Sequence, residues 1–165
     1  MNAPNTPEEI KPTKPDRTRK GGSPKQSLAG VRLRKHADYQ RAYAASRKRQ
    51  SASMSWFLAP RPEEACNAGK ASAIANQLPI GRVGLTAGKV LGKAHERNRI
   101  KRRMREALRR HLDLLPDGVD LILHPRQVVL TMEFTKLEAE VVRILTQARA
   151  DAARMASRPA VVSPA

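Results

Sequence analysis

Aromatic side chains are scarce in this chain: two Phe, two Tyr and one Trp among 165 residues. A helix that lies on a membrane surface usually anchors itself with Trp or Phe on an apolar face, so this shortage argues against a membrane partner. No apolar run approaches bilayer-spanning length. Cysteine is nearly absent. Cys66 alone permits no intrachain disulfide, and no Cys/His cluster has zinc spacing, which points to a reduced, cytoplasmic setting. The N-terminus has no apolar core of the signal-peptide kind, and Glu8, Glu9, Asp16 and several prolines interrupt any transit-peptide pattern. Acidic pairs suited to metal-assisted phosphodiester cleavage are missing. Gly81, Gly84, Gly88 and Gly92 fit no nucleotide-binding loop. His36, His95, His111 and His124 are scattered, without a Cys or carboxylate in a catalytic order, and read as surface or capping residues. The chain carries no recognisable means of doing chemistry alone.

Positive charge is what the chain has in excess. Lys plus Arg number 32 against 15 Asp plus Glu, a formal net charge of +17. A surplus of that size repels itself unless a polyanion neutralises it, and phosphate backbones are the usual partner. The charge is concentrated. Between Arg97 and Arg110, eight of fourteen positions are Lys or Arg, with Glu106 the one acid. Ile100, Met104, Ala107, Leu108, His111 and Leu112 recur within the same stretch at helical spacing. The pattern predicts an amphipathic helix over about Glu96 to Leu112, with Arg99, Arg102, Arg103, Arg105, Arg109 and Arg110 mostly off the apolar stripe. A merely solvated helix would mix signs at i,i+4. The dominance of Arg over Lys suits forked contacts to phosphate and ribose. Asn98 reads equally as a hydrogen bonder between two cations or as a plain cap.

The remaining elements follow from punctuation and periodicity. Residues 1–27, crowded with Pro4, Pro7, Pro12, Pro15, Pro24 and basic residues, read as a disordered basic tail. One domain is expected over 28–156, with a second tail at 157–165. His36 to Ala45 reads as a short helix that places Tyr39 and Tyr43 on one face. Met54 to Ala59 and Arg82 to Ala87 read as strands, separated by an insertion over 60–79 that exceeds ordinary loop lengths. Gly88 to Lys93 is a loop. Pro116-Asp117-Gly118 is a turn before a buried strand from Val119 to His124, which Pro125-Arg126 ends. Thr135 and Glu138 form a capping-box pattern before a last helix whose core stripe is Leu137, Val141, Ile144, Leu145 and Ala148. The order predicts an α+β layer fold, with the basic helix as the crossover of a strand–helix–strand unit. Tyr39, Tyr43, Trp56 and Phe57 are candidates for stacking on unpaired bases. Strand alternation separates Trp56 from Phe57; Trp56 is expected on the exposed sheet face and Phe57 in the core.

The string Ala94-His95-Glu96-Arg97-Asn98-Arg99-Ile100-Lys101-Arg102 resembles the signature of the protein subunit of bacterial ribonuclease P. The likeness extends to Arg82-Val83-Gly84-Leu85-Thr86 with Lys89, to Arg32-Leu33-Arg34-Lys35, and to Asp38-Tyr39-Gln40-Arg41-Ala42-Tyr43, and covers roughly Val31 to Ala150. The resemblance implies a single α+β domain with a central mixed sheet, similar to ribosomal protein domains, and a left-handed strand–helix–strand crossover where right-handed would be the default. It implies an accessory subunit. The partners would be the catalytic RNA, which does the chemistry, and precursor transfer RNA, whose 5′ leader the protein holds while it is removed. Magnesium would serve the RNA-catalysed reaction, with no cofactor held by the protein alone. Residue reading and resemblance together place RNA binding on Lys89, Lys93, Arg97, Asn98, Arg99, Lys101, Arg102, Arg105 and Arg109. The leader cleft falls to Tyr39, Tyr43 and Trp56. Departures from the family pattern are Val90 where a second Lys is usual, Lys93 where Asn is common, and the long 60–79 loop. A ribosomal or architectural RNA-binding protein is the alternative. A DNA reader would place a compact helix–turn–helix before its recognition helix, whereas this helix follows a strand.

Overall fold

The computed structural model describes residues 28–62 and 81–157. Both expected tails, apart from Ser157, and nearly all of the 60–79 insertion lie outside the described residues. Three helices, α1 (His36–Ala45), α2 (Ala94–Arg110) and α3 (Phe134–Ala156), accompany four strands, β1 (Arg49–Gln50), β2 (Met54–Pro60), β3 (Arg82–Leu85) and β4 (Val119–Pro125). The sheet order is β1-β2-β4-β3. β4 pairs antiparallel with β2, placing Trp56 opposite Leu123, and parallel with β3, placing Val83 opposite Leu121. The chain at Val31 to Leu33 runs beside β3 and exchanges two hydrogen bonds with Val83, at 2.7 and 2.9 Å. That contact covers the outer side of β3, which would otherwise present unpaired backbone groups.

Period-two alternation sorts the strands onto two faces. Met54, Trp56 and Leu58 of β2, Val83 of β3, and Val119, Leu121 and Leu123 of β4 join the main core with Ile100, Met104, Ala107 and Leu108 of α2 and Leu137, Val141, Ile144, Leu145 and Ala148 of α3. Phe57, Ala59 and Ile122 face the other way, toward Leu33, Tyr39, Ala42 and Tyr43. The two helical stripes read from the sequence are the ones that pack, except at the end of α2: the helix stops at Arg110, and His111 and Leu112 fall beyond it, in its cap and a following 3-10 turn, outside the core.

Several boundaries differ from expectation. α2 begins at Ala94, two residues early, because Glu96 turns back to accept a 2.6 Å hydrogen bond from the Lys93 N–H. Asn98 consequently sits inside the helix and is not its cap. The Thr135–Glu138 capping box does not form. Glu133 is the cap residue, Thr135 donates its hydroxyl to the Glu133 carboxylate at 2.8 Å, and Glu138 reaches across to α2. β1 was not anticipated. Its two residues are polar, and it is held by Arg49, which pairs with Asp151 of α3 and stacks 4.8 Å from the Trp56 ring centroid. Ser51 and Ser53 on the connecting turn both donate their hydroxyls to the Glu140 carboxylate, which also accepts the Ser53 N–H at 2.9 Å. Burial alone would raise the Glu140 carboxyl; these hydrogen bonds outweigh it and hold it below its ordinary range.

Candidate nucleic-acid interface

α2 sorts its cations by use. Ile100, Met104 and Ala107 are wholly buried against the core, which turns Asn98, Arg99 and Arg102 to solvent and leaves Arg97, Lys101, Arg105 and Arg109 half-buried. Arg103 is withdrawn from the surface. Its guanidinium donates to the backbone carbonyls of Leu130 (2.7 Å) and Met132, at the end of a 3-10 turn over Gln127–Leu130. Arg110 is also engaged in packing: it lies 4.9 Å from the Phe134 ring centroid and pairs with Glu106 (3.5 Å) and Glu138 (3.4 Å). Arg109 meets Glu106 at 3.7 Å. The helix thus does carry i,i+3 and i,i+4 pairs, confined to its last turn. His111 contacts Glu138 at 2.9 Å, so this imidazole does have a carboxylate partner, one supplied from α3 and invisible to a local reading.

The segment entering α2 adds to the same surface. Lys89 and Lys93 are exposed on either side of a 3-10 turn over Lys89–Leu91, with Leu91 buried beneath. Val90 is 95% exposed between them. Gly92 has φ 108, and a Cβ there would lie 2.2 Å from a Glu96 carboxylate oxygen. Glycine therefore permits the tight entry that lets Glu96 close the helix start. All nine residues expected to bind RNA lie on this turn and helix. Asn98, Arg99, Arg102 and the two lysines are the most accessible.

A second surface lies on the opposite face of the sheet. α1 covers that face only in part. Tyr39 and Tyr43 are half-buried, their ring centroids 6.4 Å apart. Tyr43 meets Phe57 edge-on at 4.9 Å and 79°. Gly84 makes the arrangement possible: a Cβ there would lie 2.8 Å from the Tyr39 ring. Burial pushes the Tyr39 phenol above its ordinary range. α1 is pinned at one end by ion pairs. Arg82 clasps Asp120 with two hydrogen bonds of 2.8 Å and Asp38 with one of 2.9 Å, and Arg41 adds a 2.8 Å bond to Asp38.

Trp56 is the one expected site residue that the structure removes. It is 1% exposed and packs in the main core beneath Arg49. Alternation separates Trp56 and Phe57 as expected but in the opposite sense: Met54, Trp56 and Leu58 together face the two long helices, so the half-exposed Phe57 lies on the α1 face beside the tyrosines. His124 was missed as well. It is half-buried on the α1 face of the sheet, its Nε2 2.8 Å from the Tyr43 hydroxyl, which also lies 3.4 Å from the Thr86 hydroxyl. The available signal was parity, since His124 stands two residues from Ile122 along β4 and so shares its face.

A mixed four-stranded sheet with an arginine-edged helix on one side and a short helix carrying part-exposed tyrosines on the other defines the class of an α+β RNA-binding protein. The chain belongs to the ribonuclease P protein family, whose model matches residues 29–149. It is 35% identical over 118 residues to the ribonuclease P protein component of Chloroflexus aggregans, covering 71% of this chain and 76% of that one. It is 34% identical over 134 residues to the component from Brucella melitensis, covering 78% and 89%. The solved ribonuclease P protein of Thermotoga maritima shares the fold, with a TM-score of 0.55 over 70% of this chain and 96% of that one at 21% identity. The chain is accordingly the accessory subunit of ribonuclease P, acting in transfer RNA 5′ processing with the ribonuclease P RNA as its partner; the ribosomal or architectural alternative is not favoured.

Proposed function

We propose that the two surfaces divide the RNA work. The edge formed by Lys89, Lys93, Arg97, Asn98, Arg99, Lys101, Arg102, Arg105 and Arg109 holds the ribonuclease P RNA, and the cleft of Tyr39, Tyr43 and Phe57 holds the single-stranded 5′ leader of precursor transfer RNA. The observation that carries this reading is the gathering of three part-exposed aromatic rings, Tyr39, Tyr43 and Phe57, on one face of the sheet in a chain that has only five. Trp56 is buried and Phe134 packs singly against the main core beneath Arg110, whereas rings grouped together and left half-open suit stacking on unpaired bases. The exposed Arg32, Arg34 and Lys35 before α1 and Arg47 and Lys48 after it supply cations at both ends of that path. Catalysis stays with the RNA in this reading. Magnesium would serve the RNA-catalysed reaction, with no cofactor held by the protein alone, and the protein's part is positioning. No described helix is long and apolar enough to cross a membrane, and a cytoplasmic setting belongs to the same proposal.

The test compares two double substitutions in holoenzyme reconstituted with the catalytic RNA. Tyr39→Ala with Tyr43→Ala should cost about 1–3 kcal/mol per stacked base in binding precursor with a leader and hardly affect mature transfer RNA. Arg99→Glu with Arg102→Glu should instead weaken assembly with the catalytic RNA and flatten its steep salt dependence, with helicity by circular dichroism unchanged. Equal weakening of both substrates by the tyrosine pair would remove the cleft assignment.

A further inference from the structure

The cleft floor holds an imidazole with one nitrogen committed and one open. His124 Nε2 is engaged by the Tyr43 hydroxyl at 2.8 Å. Its ring stands 5.6 Å from Tyr43 and 5.4 Å from Phe57, both inclined near 60°. Those contacts fix the ring plane from α1 and from β2. Nδ1 has no hydrogen bond to any described residue and is not among the buried unsatisfied atoms, so solvent, or a ligand in the cleft, reaches it. Ser55 stands opposite His124 on β2. The groups facing the imidazole are the Tyr43 phenol from α1, Lys48 just beyond it, the Thr86 hydroxyl by way of Tyr43, and Ser55 and Phe57 from β2. Arg126, two residues on, is turned to Gln50 at 2.9 Å. Among these, Lys48 is the cation that acts on the ring; no carboxylate does so.

We propose that His124 is a proton-linked contact for the leader backbone: as a phosphodiester enters the cleft, His124 takes up a proton and donates Nδ1–H to a phosphate oxygen, while Nε2–H donates to Tyr43. The proton comes from solvent, and no covalent bond is made or broken. Protonation also sets the direction of the hydrogen-bond chain. Once Nε2 is a donor, the Tyr43 hydroxyl must offer its own proton elsewhere, to Thr86 or to the leader. The empty cleft disfavours the charge, because burial and the Lys48 ammonium both hold the imidazole below its ordinary range. A phosphate supplies the opposite charge that the free protein lacks there. Leader binding and proton uptake are then one linked equilibrium. The sign follows: the leader's contribution to affinity grows as pH falls. This inference rests on the leader-cleft reading above.

The experiment measures binding by reconstituted holoenzyme of precursor with a leader and of mature transfer RNA, from pH 8 to pH 6. The ratio of the two affinities cancels pH effects common to both substrates. The ratio should rise several-fold on acidification, bounded by about tenfold per pH unit for one proton. His124→Gln retains a hydrogen-bonding group for Tyr43 but cannot take up the proton, and should flatten the profile; unchanged melting of the variant checks folding. Tyr43→Phe, which leaves Nε2 without its partner but keeps the stacking ring, should shift the profile without abolishing leader dependence. A flat ratio in the unsubstituted protein, or a slope that survives His124→Gln, overturns the proposal. The tyrosine-pair substitution above separates the two levels. If it removes leader dependence while His124→Gln leaves the pH profile unaltered, the cleft stands and the role of His124 falls. If it does not remove leader dependence, both fall.

Discussion

The two faces of the sheet are built from the same three long strands and put to opposite uses. On one, α2 and α3 bury Trp56, Leu58, Leu121 and Leu123 almost completely. On the other, the ten residues of α1 cover only part of the surface, leaving Tyr39, Tyr43, Phe57 and His124 half-open. Coverage decides which aromatic is structural. Adjacent residues of one strand, Trp56 and Phe57, fall into different roles because one faces two long helices and the other a single short one. Charge follows the same rule. On α2, Arg103 and Arg110 are drawn into packing while Arg99 and Arg102 stay free, although all four belong to one basic run.

The comparison is broken most severely at Trp56. Trp56→Ala should destabilise the fold by about 3–5 kcal/mol, read by thermal or urea denaturation, whereas Phe57→Ala should cost roughly 1–2 kcal/mol because its ring is already part-exposed. Phe57→Ala should in addition weaken leader-dependent binding. A larger stability loss at Phe57 than at Trp56 would reverse the assignment of faces.

Next in size is the pin that holds α1 down. Arg82→Met leaves Asp120, 1% exposed, and Asp38 without their main counter-charge, and should cost about 3 kcal/mol. The same cluster has a pH signature. Burial works to raise the Asp38 carboxyl, but hydrogen bonds and charge from Arg41 and Arg82 prevail and hold it below its ordinary range. A depressed native value means that its stabilisation is fully present above about pH 4, the unfolded carboxylate range, and is lost as pH falls through the native value. Acid melting curves of Asp38→Asn should therefore show a smaller loss below about pH 4 than the parent.

The smallest effect separates the arginines. Arg103→Ala removes two charged donors from the Leu130 and Met132 carbonyls and should cost about 1.5–3 kcal/mol of stability. Arg99→Ala should leave the melting temperature unchanged and act only on RNA affinity. Similar melting losses for both would show that α2 does not sort its cations in this way.

Much of this was legible from residue order. The stripes of α3 and of α2 as far as Leu108 were read correctly because a 3.6-residue period commits side chains to one face before any partner is known. The tyrosine pair of α1 was read on the same ground. The signature string around Arg97 to Arg102 pointed to the family, and composition to a polyanion partner. Period two on a strand is weaker evidence, since it separates Trp56 from Phe57 without saying which face the helices take. Tertiary packing settled that, burying Trp56 beneath the helices and leaving Phe57 part-exposed on the α1 face. It also brought His124 to Tyr43 across 81 residues and Glu138 to His111 across 27, set Arg82 between Asp38 and Asp120, and turned Arg103 inward. Each of these depends on groups distant in the chain meeting in space, where burial makes an unpaired charge or donor costly enough to dictate its partner. Local periodicity carries no information about such meetings.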